Sequence, residues 1–145
     1  KLPVIYSVNE LDSTVTAFAF DVASGATKEL QTITTLPSEF VGMNTTAEIR
    51  VHPSGQFMYA SNRGHDSIAV FGVERASGKL SAKGQTSTGG STPRNFNVDP
   101  SGKYLIVANQ KSDSVVTFSI DGKTGALKQV GEPLSVPVPV CVLFP

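Results

Sequence analysis

Short apolar runs separated by turn residues fill the chain, and three of them end on the same polar residue. Asn9, Asn62 and Asn109 each close one apolar run and open a loop leading to another. The runs that follow are Thr14–Asp21, Ser67–Glu74 and Ser114–Asp121, built mainly from Val, Ile, Ala and Phe. The first two copies are 53 residues apart and the next two 47. A period of this length, made of strands and turns, predicts β-propeller blades, one per copy. One blade buries little apolar surface alone, so its neighbours must supply the stability.

The third copy is the most complete. Arg94–Val98 alternates and ends at Asp99-Pro100-Ser101-Gly102, where proline and glycine mark a tight turn. Tyr104–Ala108, a polar loop at Asn109–Asp113, Val115–Ile120, a turn at Gly122–Gly125 and Leu127–Val130 follow. That grammar gives four antiparallel strands in about 45 residues, one blade. The second copy repeats it: Ile49–Val51, Pro53-Ser54-Gly55, Phe57–Ala60, Ile68–Val73, Ser77-Gly78, then Leu80 onward. In Ile68–Val73, Ile68 and Val70 face one way and Phe71 and Val73 the other, so sheets cover both faces.

The predicted fold class is therefore all-β, with four-stranded antiparallel blades forming about three blades of a larger or assembled propeller. Residues 1–46 read as a blade lacking its inner strand plus a rim loop, 47–90 as a second blade, 91–138 as a third and 139–145 as an inner closing strand. Val4–Val8 matches a second strand, and Pro139–Phe144 resembles Pro93–Val98, so the tail is expected to complete the first blade. Three blades are too few for a closed ring of four to eight. Further blades, or a second copy donating its last strand, are the expected complement.

Twelve basic and twelve acidic residues cancel, so no net field draws nucleic acid or an anionic membrane. A charged ligand has to be met by individually placed side chains. Cys141 is the single cysteine, which excludes an intrachain disulfide framework and fits a reducing, cytoplasmic location. On the apolar closing strand it reads as a small core residue. No stretch approaches about 20 apolar residues, so no membrane partner is expected. His52 and His65 have no metal-ligand spacing around them, and nucleophile-elbow, phosphate-loop and dinucleotide motifs are missing. Neither metal nor cofactor is expected.

Several words stand in order: Ser7-Val8-Asn9-Glu10-Leu11, Ala47-Glu48-Ile49, Ser61 through Phe71, Thr92 through Tyr104, Ala108 through Ser112, and Pro139-Val140-Cys141-Val142. As a set they resemble the C-terminal part of the seven-bladed lactonase family of the bacterial 6-phosphogluconolactonase type, which also contains fungal carboxy-muconate cyclases. The resemblance covers essentially the whole chain. It implies a lactone hydrolase that opens a sugar-acid lactone by adding water, with a small anionic lactone as substrate and no cofactor. Lactone chemistry on muconate-type dicarboxylates, and a non-catalytic propeller segment or binding scaffold, are the alternative readings.

Four residues carry the candidate chemistry. Glu48 precedes the apolar Ile49 at the start of an inner strand and matches the family's acidic position, which implies a proton acceptor or water-orienting carboxylate. Arg94 begins the next inner strand and matches the family's Pro-Arg word. A guanidinium there could clasp an anionic group or polarise a lactone carbonyl. Arg63 and His65 occupy the loop between second and third strands, on the expected ligand side, and are assigned to substrate binding. Arg63 breaks the repeat, because Glu10 and Gln110 stand at its position in the other copies. Asn62 and Asn109 are expected to bond loop backbone, and His52 to cap a turn. The insertion at residues 37–46 is expected to form a lid, with Phe40 and Met43 either walling a pocket or pinning the loop.

Overall fold

The computed structural model describes residues 3–145 and contains three antiparallel sheets. The first holds β1 (Val4–Asn9), β2 (Thr14–Phe20) and β3 (Thr27–Thr34), in that order. The second holds β4 (Thr45–Val51), β5 (Phe57–Arg63), β6 (Ser67–Val73) and β7 (Leu80–Ser87). The third holds β8 (Pro93–Val98), β9 (Tyr104–Asn109), β10 (Ser114–Ile120) and β11 (Leu127–Ser135). Gln110–Ser112 forms a single 3-10 turn. The all-β blade architecture expected from the repeat is the one observed.

Alternation along β5 and β6 explains why the blades stack. Phe57, Tyr59, Ile68 and Val70 pack against Phe96, Val98, Leu105, Val107, Val116 and Phe118 of the third sheet. The intervening residues Met58, Ala60, Ala69 and Phe71 pack with Val15, Tyr6 and Val8 of the first. A strand with two apolar faces needs a sheet on each side, and the middle blade has both. Fully burying a side chain of this size contributes about 1.5–3 kcal/mol. Polar ties recur at equivalent positions between blades: Tyr6 Oη donates to Gly78 O at 2.7 Å and Tyr59 Oη to Gly125 O at 3.0 Å. Burial pushes both phenols up, Tyr59 the further.

The buried His52 does more than cap its own turn. Its Nδ1 accepts from Ser54 N at 3.0 Å, which leaves the proton on Nε2 to donate to Gly102 O at 2.8 Å. One imidazole thus joins the β4–β5 turn to the β8–β9 turn.

The tail differs from its expected place. Residues 139–145 form no strand and do not complete the first sheet. Instead Val142 N donates to Asn95 Oδ1 at 2.8 Å, and Asn97 Nδ2 donates to Val142 O at 3.3 Å. Val142 stands 47 residues after Asn95, as Asn95 stands 47 after Glu48. The tail therefore occupies the next inner position around the axis, beside β8, as β8 lies beside β4. Pro137 and Pro139 lack the N–H groups a ladder needs. Cys141 is exposed, not a core residue, because the tail is covered on one side only.

Candidate active site

The end of the blades expected to face ligand is where β5 and β9 finish and where β4 and β8 begin. Both inner strands open with a bulge. In β4, Ala47 and Glu48 stand opposite the single residue Ser61, whose Oγ accepts from Glu48 N at 3.0 Å. In β8, Arg94 is the extra residue between the pairs Pro93–Asn109 and Asn95–Ala108. Bulges re-aim side chains, and here they separate the two residues assigned to chemistry.

The Glu48 carboxylate is occupied. It accepts from Asn95 Nδ2 and from Ile49 N (2.9 Å), and Arg50 Nη1 lies 3.2 Å away. It lines neither of the two cavities at this end. Arg94 points the other way and is exposed; among the described residues it has no hydrogen-bond or ion-pair partner. Glu48 and Arg94 are thus neighbours through Asn95 but do not face one hollow.

Arg63 and Arg94 do come together. A cavity of about 430 Å³ lies between the second and third blades, lined by both arginines with Thr45, Asp66, Thr92 and Lys111. A second of about 300 Å³ lies toward the first blade, lined by the same arginines with Val8, Glu10, Thr46 and Ala47. The two arginines are the wall the cavities share. Arg63 is held by Glu10 and by Thr46 O, to which Nη2 donates at 3.0 Å, while its buried Nε has no partner among the described residues. Two guanidiniums and an ammonium converging on one space, one of them already fixed, form an environment suited to an oxyanion.

His65 lies apart from both cavities. Its Nδ1 bonds Ser67 Oγ at 2.6 Å, its backbone N–H reaches Asn44 Oδ1 at 3.0 Å, and Phe40 meets its ring edge-on at 5.0 Å. Phe40 and His65 pin the rim loop. Met43, 94% exposed, walls nothing. Asn62 and Asn109 hold loop backbone: their Nδ2 atoms donate to Thr35 O at 3.1 Å and Thr88 O at 3.2 Å, the points where the preceding blade exits.

Glu10 and Lys111 were silent in the sequence, being one acidic and one basic residue among many in polar loops. The signal that could have found Glu10 is the repeat itself. Glu10 and Arg63 occupy equivalent positions in adjacent blades, and adjacent blades bring equivalent positions together.

Comparison with known proteins identifies the family. The family described as "Lactonase, 7-bladed beta-propeller" matches residues 1–144. The chain belongs to that lactonase family. A 6-phosphogluconolactonase of Bacillus subtilis is 38% identical over 139 residues, covering 96% of this chain and 40% of its own length. A structure from Lactobacillus plantarum superposes with a TM-score of 0.90 at 34% identity, covering 94% of this chain and 40% of that one. The Pseudomonas aeruginosa structure described as a periplasmic gluconolactonase gives 0.87 at 32% identity, covering 94% and 38%. The chain thus spans about two fifths of the family members it matches over most of its length. Among the described residues no helix is long and apolar enough to cross a membrane.

Proposed function

We propose that this chain supplies the anion-holding side of a lactone-hydrolysing site, with 6-phosphogluconolactone or a related sugar-acid lactone as substrate. The observation that carries the reading is the shared wall of Arg63 and Arg94 between two cavities at one end of the inner strands. Kinship with proteins named for lactone hydrolysis supports it.

In this mechanism a water oxygen bonds to the lactone carbonyl carbon. The carbonyl becomes a tetrahedral oxyanion, and its collapse breaks the ring C–O bond. The leaving alkoxide takes the proton released by the water. Arg94, having no partner of its own, polarises the carbonyl and meets the oxyanion as charge develops. Arg63, already aimed by Glu10 and Thr46, holds the anionic part of the substrate. Glu10, on the cavity wall, orients the water and relays its proton. Glu48 supports from behind, because it binds Asn95 next to Arg94. His65 anchors the rim through Phe40 and Ser67 and does not touch substrate.

The working particle is proposed to include further blades, in the same polypeptide or a second copy, that complete the ring around the shared wall. A cytoplasmic location is part of the same proposal. The test is lactone hydrolysis by the wild-type protein and by Arg94→Ala. Loss of one oxyanion donor lowers turnover by about 100- to 1000-fold. Equal turnover in the two proteins would discard the role of Arg94 and with it the proposed site.

A further inference from the structure

We infer that Asp66 is the positioning residue for Arg94, acting through a backbone step at Thr92–Pro93 whose N–H side its carboxylate holds in place. The inference rests on the anion-holding role proposed for Arg94. Arg94 has no side-chain partner among the described residues, so the backbone leading into β8 sets its aim. That backbone is unusual. Thr92 has φ +58°, the left-handed region that a β-branched residue rarely enters. It also precedes a proline, which favours extended geometry.

Something must hold Thr92 there, and the bonds are explicit. Thr92 N donates to Asp66 Oδ1 at 2.8 Å, and Thr92 O accepts from Gln110 N at 2.9 Å. Ser91 N reaches Ser112 Oγ at 2.9 Å, and Ser91 O accepts from Lys111 N at 3.1 Å. Asp66, itself left-handed at φ +52°, receives the linker a second time, since its carbonyl accepts Thr88 N at 3.0 Å. One residue therefore grips both ends of the short connection from β7 to β8.

The neighbouring copies show which part of this device is general. Asp113 Oδ1 accepts Val138 N at 2.8 Å, and Val138 is left-handed at φ +45° before Pro139. The first copy has Ser13 instead, and its longer linker ties in through Asn44 Nδ2 to Ser13 Oγ at 2.9 Å. A carboxylate at this turn thus goes with a short linker that must start the next inner strand abruptly. Between the second and third blades, that strand carries Arg94.

Charge and positioning make opposite predictions for Asp66, because it lines the same cavity as Arg63, Arg94 and Lys111. If Asp66 acted only as a negative charge, removing it would strengthen anion binding in any variant. The probe is 6-phosphogluconate, titrated calorimetrically into the full chain. Asp66→Asn keeps an Oδ1 acceptor without the charge and is expected to bind as tightly as wild type or more tightly. Asp66→Ala removes the acceptor and is expected to bind about tenfold more weakly. In parallel, the amide-to-Hα coupling of Thr92 should keep its left-handed value in Asp66→Asn and lose it in Asp66→Ala. Thr92→Gly in the Asp66→Ala background accepts positive φ without strain and should recover part of the affinity. If Asp66→Ala does not fold, Thr92→Gly is measured with and without Asp66→Ala, and loss of the Asp66 acceptor is expected to weaken affinity several-fold in that strain-free background. Equal affinity of the Asn and Ala variants, an unchanged Thr92 coupling in Asp66→Ala, or equal affinity of Thr92→Gly with and without Asp66→Ala would overturn the inference. Failure of wild type to bind 6-phosphogluconate would remove the anion role of Arg94 while the coupling still judges Asp66.

Discussion

At the end of the blades remote from the two arginine-lined cavities, positive φ falls to glycine: Gly25, Gly78 and Gly125 in one set of turns, Gly55 and Gly102 in the other. At the cavity end glycine still takes it at Gly64 and Gly89, but Ser13, Asp66, Thr92, Asp113 and Val138 do so as well, and these are the non-glycine residues in that conformation among the described ones. The two buried side-chain polar atoms without a partner among the described residues, Arg63 Nε and Asn109 Oδ1, also lie at the cavity end. So do both inner-strand bulges. The remote end is saturated: Asp21 and Asp121 each cap two backbone N–H groups, and His52 joins adjacent turns. The difference teaches a division of labour, with one end minimising strain and the other holding side chains where binding needs them.

The sharpest way to break that comparison is at Gly102. A Cβ there would meet the His52 ring at 2.7 Å, with φ at +72°. Gly102→Ala is expected to cost about 3 kcal/mol in denaturant unfolding, with 6-phosphogluconate affinity unchanged in the folded fraction. A loss of affinity without a loss of stability would reverse the roles of the two ends. Tyr59→Phe, which leaves Gly125 O without its buried donor, is expected to cost about 1–2 kcal/mol by the same measurement.

Smaller effects come from the exposed turn carboxylates. Backbone N–H groups of Ala23 and Ser24 hold Asp21 below the usual carboxylate range, and the Thr124 and Lys123 backbone with the Thr124 hydroxyl do so for Asp121. A lowered folded pKa contributes stability that is complete above the unfolded value near about 4 and lost as pH falls through the folded value. Melting temperature should therefore be level above about pH 5 and decline below about pH 4. The decline should be shallower in an Asp21→Asn, Asp121→Asn double variant. An equal decline would show that these caps are not the linked groups. The smallest expected effect is that of Arg94→Ala on stability, within about 0.5 kcal/mol of wild type.

Much of the fold was legible because blade packing imposes a strict pattern. The two apolar faces of Ile68–Val73 require two neighbours, and each face joins a different cluster. Asn62, Asn109 and His52 were readable because turn chemistry uses few residue types. The tail was misplaced because likeness between Pro139–Phe144 and Pro93–Val98 identifies an inner strand but not its blade. The Val142–Asn95 contact decides that. Within the site, Arg63 stood out by breaking the repeat, and Arg94 by its place at a strand start. The bulges that turn Glu48 toward Asn95 and Arg94 toward the cavities left no mark in apolar periodicity. Thr92 was invisible for a related reason: nothing in a threonine announces a left-handed torsion, since its neighbour Asp66 supplies the restraint.

The central claim is that Arg94 works for ligand and not for fold. The direct test is the calorimetric affinity of the Arg94→Ala chain for 6-phosphogluconate, beside wild type. The account predicts a loss of about tenfold or more, the scale of one charge-assisted contact. Affinity equal to wild type would contradict it.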